Sequence, residues 1–109
     1  MYKFKSKATG DLIMLDPNGR QVLRIIGKDD PDTLRKGILL PQHMPAAIAA
    51  LEAAVALEEA AQLQRANEAK SRGETPSRPE GISLRQHTTP FIAMLRRAHQ
   101  TDNEVVWGV

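Results

Sequence analysis

Residues 45–70 read PAAIAALEAAVALEEAAQLQRANEAK, and this alanine-rich segment is the strongest structural signal in the sequence. Alanine has the highest intrinsic helix propensity, and the other residues are mainly Leu, Glu, Gln, Lys and Arg, which also favour helices. One helix over this stretch would be about 39 Å long, whereas a compact domain of this chain length is roughly 35 Å across. We therefore predict a single long helix that crosses the domain and extends beyond it.

One side of this helix carries an apolar stripe with steps of three and four residues, formed by Met44, Ile48, Leu51 and Val55. This spacing is typical of an amphipathic helix that packs against a core. The next two positions of the stripe hold Glu58 and Gln62. We therefore expect the contact with the core to end near Val55.

A second seam runs along the opposite side of the helix and consists of Ala46, Ala50, Ala53, Leu57 and Ala61. Small side chains let another helix approach closely, so this seam is a candidate surface for a protein partner or for a second copy of the chain. The simpler interpretation, which the sequence favours, is that alanine is a good helix former on a solvated face.

The N-terminal residues show strand and turn patterns. Tyr2–Ser6 alternates apolar and polar residues, a turn follows at 8–11, and 12–15 is a short apolar run. Together these segments predict a β-hairpin. Residues 37–40 are a second short apolar segment and form either an edge strand or a packed connector.

Residues 17–26 are predicted to form a short helix. Asp16 followed by Pro17 is typical of an N-cap and a first helical residue, and Gly27 suits the C-terminal end. The alternative is a second hairpin, because Asn18-Gly19 is also a turn signal. Lys28–Asp32 is expected to be a polar loop.

The composition changes after the long helix. Residues 71–80 are rich in Gly, Pro, Ser and charge, which predicts a flexible linker within one domain spanning 1–109. Ile82–Gln86 alternates and predicts a strand, and Thr89-Pro90 predicts the start of a helix that ends at about Gln100. Residues 105–109 predict a closing strand in which the single Trp makes a core or inter-element contact.

These segments predict an α+β domain. We expect a small, mostly antiparallel sheet of about four short strands, built from the N-terminal hairpin, the 82–86 strand and the C-terminal strand. One long Ala-rich helix and two shorter helices should pack mainly on one face of this sheet.

Composition excludes several kinds of site. The 109-residue chain has no Cys, which excludes disulfides, thiol catalysis and cysteine-ligated metals. It contains no phosphate-binding glycine loop, nucleophile elbow or zinc-protease motif, and its histidines are scattered at His43, His87 and His99. We predict no catalytic residue, no cofactor and no metal, and therefore a protein that is not an enzyme. No apolar run suits a membrane span or a signal peptide, so we expect a soluble, cytoplasmic protein.

The formal net charge is only +2, so the electrostatic argument for a nucleic-acid partner is weak. The alternative function is nevertheless weak binding of nucleic acid through surface rows of basic residues, formed by Lys3, Lys5, Lys7, Arg96 and Arg97. No exposed aromatic residue alternates with the lysines as a base-stacking platform would require.

Three blocks carry a family resemblance: residues 2–28 (YKFKSKATGDLIMLDPNGRQVLRIIGK), 37–54 (GILLPQHMPAAIAALEAA) and 83–109 (SLRQHTTPFIAMLRRAHQTDNEVVWGV). The chain resembles the small bacterial proteins grouped as domain of unknown function DUF1840. The resemblance implies a single-domain cytosolic bacterial protein and no assigned activity. The function predicted from the sequence is therefore a small non-enzymatic module that binds a protein partner or itself.

Overall fold

The computed structural model describes residues 1–75 and 83–109 of the chain. Nine elements follow one another along these residues. They are β1 (Tyr2–Lys5), β2 (Leu12–Met14), α1 (Asp16–Ile25), α2 (Pro31–Arg35), β3 (Gly37–Leu39), a 3₁₀ turn (Pro41–His43), α3 (Met44–Ser71), α4 (Leu84–Gln100) and β4 (Val105–Trp107).

The four strands form one antiparallel sheet in the order β2-β1-β4-β3. Phe4 of β1 pairs with Trp107, and Leu39 of β3 pairs with Val105. The N-terminal hairpin and the closing strand are therefore confirmed. Residues 37–39 form an edge strand rather than a connector, and this strand completes the sheet.

The sheet has one covered face and one open face, as its alternating burial shows. The side chains that point to the helices are buried: Phe4, Met14, Leu39, Val105 and Trp107. On the other face Lys3, Ile13 and Ile38 are exposed. Because successive residues of a strand point to opposite faces, the helices pack on one side only. The predicted α+β class, with helices mainly on one face, is confirmed.

Aromatic side chains hold the centre of the core together. The ring of Phe4 lies 4.8 Å from that of Phe91 on α4 and 6.0 Å from that of Trp107, measured between centroids. The indole Nε1 of Trp107 donates a hydrogen bond of 2.7 Å to the backbone oxygen of Thr33 on α2. Trp107 is fully buried, so the expectation that it makes a core or inter-element contact is confirmed.

Residues 16–25 form a helix and not a second hairpin, and Gly27 follows it with a positive φ of 89°. The prediction that Asp16 is the N-cap was wrong. Leu15 has the extended backbone of the N-cap, and Asp16 is the first helical residue. The Asp16 carboxylate makes no capping hydrogen bond and pairs with the Met1 amine at 2.8 Å.

The long helix α3 covers 28 residues, from Met44 to Ser71, and the prediction of one helix over 45–70 is confirmed. Its buried stripe differs in one position, because Ala47 is buried whereas Ile48 is half-buried. After Val55 the next buried residue is Ala69, close to the helix end. The first three turns therefore contact the core, and the molecule is elongated, with principal extents of 52 × 25 × 24 Å.

The predicted strand at 82–86 was wrong for residues 84–86, which form the first turn of α4; Ile82 lies outside the described residues. The prediction that the helix begins at Thr89-Pro90 was also wrong, because Pro90 lies inside α4. The Ser83 side chain accepts from the Gln86 backbone N–H, and the Gln86 side chain accepts from the Ser83 N–H. This reciprocal capping box starts the helix two turns earlier.

One further segment differs from the expectation, and part of another lies outside the described residues. The polar loop expected at 28–32 contains the start of α2, where the Asp30 side chain caps the backbone N–H of Thr33 at 3.0 Å. Ser71 is the last residue of α3, and residues 76–80 of the predicted linker lie outside the described part of the chain.

Candidate interaction surfaces

The outward side of α3 carries an apolar stripe without charge. At 100° per residue, the positions turned away from the core over five turns all hold Ala or Leu. We call this set the outward stripe; its members are Ala46, Ala49, Ala50, Ala53, Ala56, Leu57, Ala60, Ala61 and Leu63. Leu57 and Leu63 have 74% and 64% of their surface exposed.

All five residues of the predicted seam belong to the outward stripe. Ala46, Ala53 and Leu57 are exposed, whereas Ala50 and Ala61 are half-buried. The seam prediction omitted Leu63, although the absence of charge on this side of the helix could have identified it. The stripe is therefore wider than a single row of small residues.

Charged residues border the outward stripe instead of interrupting it. Glu58 and Arg65 lie beyond one edge of the stripe, closer to the core-facing side of α3, and neither makes an ion pair with another described residue. On the other flank, Glu52 and Glu59 turn towards α4. The two flanks therefore differ, because α4 of the same chain covers only the flank that carries Glu52 and Glu59.

Two ion pairs join α3 to α4 across the flank that faces it. Arg85 contacts the Glu59 carboxylate, and Arg96 contacts the Glu52 carboxylate. The hydrogen bond from Arg85 holds the pKa of Glu59 below its usual value and raises the pKa of Arg85. Because all four side chains are about half-exposed, the pairs orient the two helices more than they stabilise them.

A groove of about 470 Å³ lies between these ion pairs. Val55, Thr88 and Ile92 form its floor. The Thr88 hydroxyl donates to the Leu84 backbone oxygen at 2.9 Å, so this buried polar group is satisfied within its own helix. The groove is best explained as the shallow junction of two packed helices.

The five basic residues of the nucleic-acid hypothesis do not form one surface. Lys3 points to the open face of the sheet, and Lys5 lies on the same face two residues along the strand. Arg96 and Arg97 lie on α4, which packs on the opposite face through Phe91. Lys7 lies in the hairpin turn. The sheet thus separates the lysines from the two arginines.

Lys3 and Lys5 line a cleft at one end of the sheet together with two other basic residues, Arg20 and Arg35. This cleft, of about 620 Å³, lies where β1, α1, α2 and the end of β4 come together. We call it the basic cleft; it is lined by Met1, Tyr2, Lys3, Lys5, Asp16, Arg20, Pro31, Leu34, Arg35, Gly108 and Val109. No local sequence pattern identifies this cleft, because Arg20 and Arg35 belong to helices whose relative placement local patterns do not specify.

The histidines remain separate. His43 is exposed in the 3₁₀ turn, and His87 and His99 lie on α4, twelve residues apart. Among residues 1–75 and 83–109, no group of three or more His, Asp or Glu side chains is arranged to hold a metal ion. Within the same ranges, no helix is long and apolar enough to cross a membrane.

Comparison with known proteins identifies a family. The model of the family described as Domain of unknown function (DUF1840) matches residues 1–107. No curated protein and no solved structure matches the chain.

Proposed function

The chain belongs to the DUF1840 family, and on that premise we propose that it is a non-enzymatic, cytoplasmic module that pairs with a second copy of itself. The observation that supports the proposal is the outward stripe, where Leu57 is 74% exposed on a helix that continues past the core. An exposed apolar surface of this length favours burial against a partner, because removing it from water lowers the free energy.

The partner we propose is a second copy, packed antiparallel along the distal part of α3. The stripe extends from Ala46 to Leu63, about 26 Å of helix at 1.5 Å per residue. Beyond Glu59, which still contacts Arg85 of α4, the helix extends away from the globular end of the molecule. Antiparallel pairing of the distal parts directs the two globular ends away from each other, so the pair forms without a clash between them.

Replacing Leu57 with Glu tests the surface. Leu57→Glu introduces a charge into the centre of the proposed contact and should weaken self-association at least about tenfold, measured by sedimentation equilibrium. Leu15→Glu is the matched control, because Leu15 is also exposed, at 59%, but lies outside the stripe. Equal effects of the two changes would refute the assignment of the surface.

An unlike protein partner is the competing occupant of the outward stripe. Under this alternative the purified chain stays monomeric, and Leu57→Glu abolishes binding of the unlike partner rather than self-association. A self-association constant that responds to Leu57→Glu excludes this alternative as the main use of the surface.

Weak nucleic-acid binding is the alternative function, with Lys3, Lys5 and Lys7 as its contacts on the sheet side. It predicts binding of oligonucleotides that falls steeply with salt and is lost when these lysines are replaced with Glu. A flat titration at low salt would exclude it. Arg96 contributes little to this alternative, because its guanidinium already pairs with Glu52.

A further inference from the structure

The basic cleft concentrates positive charge in a concave surface. Its lining contains four basic side chains, Lys3, Lys5, Arg20 and Arg35, and one carboxylate side chain, Asp16. Asp16 is already engaged by the Met1 amine at 2.8 Å and by Arg20 at 3.8 Å. The amine and Arg20 together hold the pKa of Asp16 below its usual value.

Three of the basic side chains remain without a described carboxylate partner. Within residues 1–75 and 83–109, Lys3, Lys5 and Arg35 form no ion pair. Other described basic residues, such as Arg65 and Arg97, also form no ion pair, so the grouping of these cations around one cleft is what distinguishes them. The cleft therefore retains an excess of positive charge, and its walls bring that charge together.

The walls of the cleft are fixed by buried contacts. The Tyr2 hydroxyl donates to the Leu34 backbone oxygen at 2.7 Å and joins β1 to α2. Gly108 passes so close to α2 that a Cβ there would lie 2.1 Å from the Arg35 backbone oxygen. Gly19 of α1 packs directly on the Tyr2 ring. The segments that carry Lys3, Arg20 and Arg35 are therefore held in place before any ligand binds.

We propose that the basic cleft binds a small anion with two or more linked phosphate groups. Its volume of about 620 Å³ suits a small ligand, and several cations around one concavity suit several adjacent negative groups. Nucleic acid fits less well, because a strand requires a basic track with stacking rings. The Tyr2 hydroxyl is already used, and its ring is stacked against Phe4. The cleft and the outward stripe are separate, so this proposal does not depend on self-association.

Titration with inorganic tripolyphosphate tests the proposal. In a ¹H–¹⁵N spectrum of the full chain at low salt, the amides of Lys3, Arg20, Arg35 and Gly108 should shift most. The double variant Arg20→Gln with Arg35→Gln should bind roughly tenfold more weakly. The control Arg24→Gln with Lys36→Gln removes the same charge from exposed neighbours outside the cleft, and it should change the affinity less than about twofold.

Several results would overturn the proposal: no saturable binding, equal losses in the two double variants, or shifts spread evenly over all basic residues. A short single-stranded oligonucleotide could bind through these residues while tripolyphosphate does not bind. That result would overturn the proposal in favour of a nucleic-acid site. A nucleoside triphosphate compared with tripolyphosphate identifies the source of the phosphates. Equal affinity indicates that the phosphate chain alone is recognised, and tighter binding indicates a nucleotide.

Discussion

Gly108 fixes the end of the C-terminal strand against α2 in a backbone conformation that other residues rarely adopt. Its φ is 75°, and an added Cβ would lie 2.1 Å from the Arg35 backbone oxygen. Gly108→Ala should lower the free energy of unfolding by roughly 1–3 kcal/mol, measured by urea denaturation. Gly10→Ala is the control, since no atom lies within 4 Å of its Cβ position. Equal stability of the two variants would contradict the close contact.

Glu59 should give the protein part of its stability against acid. Arg85 donates a hydrogen bond to the Glu59 carboxylate, which lowers its pKa from the usual 4.5. Because the folded pKa lies below that of the unfolded chain, this contribution is present above about pH 4.5. It is lost as pH falls through the lower, folded value. Stability should therefore fall less steeply below this pH in Glu59→Gln, with little change at neutral pH.

Denaturant midpoints measured across this pH range check the contribution of Glu59. Glu104→Gln serves as the control, since the Glu104 carboxylate forms no ion pair within the described ranges, and it should retain the wild-type slope. If Glu59→Gln has the same slope as the wild type, the ion pair does not form in solution.

Single residues were predicted well where one physical property decided their place. Trp107 was expected to make a core or inter-element contact because it is the only large aromatic side chain near the C-terminus, and it is fully buried. Asp16 was misplaced by one position, because the sequence does not show that its carboxylate pairs with the Met1 amine. A local pattern cannot include a partner that only the folded chain brings close.

At the scale of elements, α4 shows how two competing start signals are decided. Ser83 and Gln86 form the capping box that begins the helix, whereas the Thr89 hydroxyl donates back to the Arg85 backbone oxygen at 2.7 Å inside it. Ser83→Ala should therefore cost about 1 kcal/mol in the free energy of unfolding. Thr89→Ala should be neutral or slightly stabilising, because this back-bonding does not favour a helix.

Thermal unfolding of the two variants checks this assignment. A larger loss in Thr89→Ala than in Ser83→Ala would mean that the helix begins at Thr89-Pro90 after all. The capping box was present in the sequence as Ser83-Leu84-Arg85-Gln86, so this error was avoidable. Pro90 is tolerated inside the helix because the helix is buried both before it, at Leu84 and Thr88, and after it, at Phe91.

The long helix was predictable because high helix propensity continues over more than seven turns, and the apolar period supports it over the first three. The five-residue helix α2 was not predicted, and for the three-residue strand β3 the sequence allowed either an edge strand or a connector. Elements of that length are decided by tertiary contacts. Here the contacts are the Tyr2 and Trp107 hydrogen bonds to α2 and the pairing of β3 with β4.

At the scale of the whole molecule, the sheet order explains which sites a sequence can reveal. β4 pairs with β1 and places residues about 100 positions apart beside each other, as in Phe4 and Trp107. The outward stripe lies on one helix, so its period was visible in the sequence. The basic cleft combines β1, α1, α2 and β4, and no local pattern brings Lys3, Arg20 and Arg35 together.

The solution mass of the unmodified chain, measured by light scattering on a sizing column, tests the central claim most directly. Self-association through the outward stripe predicts a mass that rises with concentration towards twice 12.0 kDa. It also predicts that the larger species persists at moderate salt, because apolar burial and not exposed charge holds the copies together. A mass of 12.0 kDa at every concentration and salt would contradict the account.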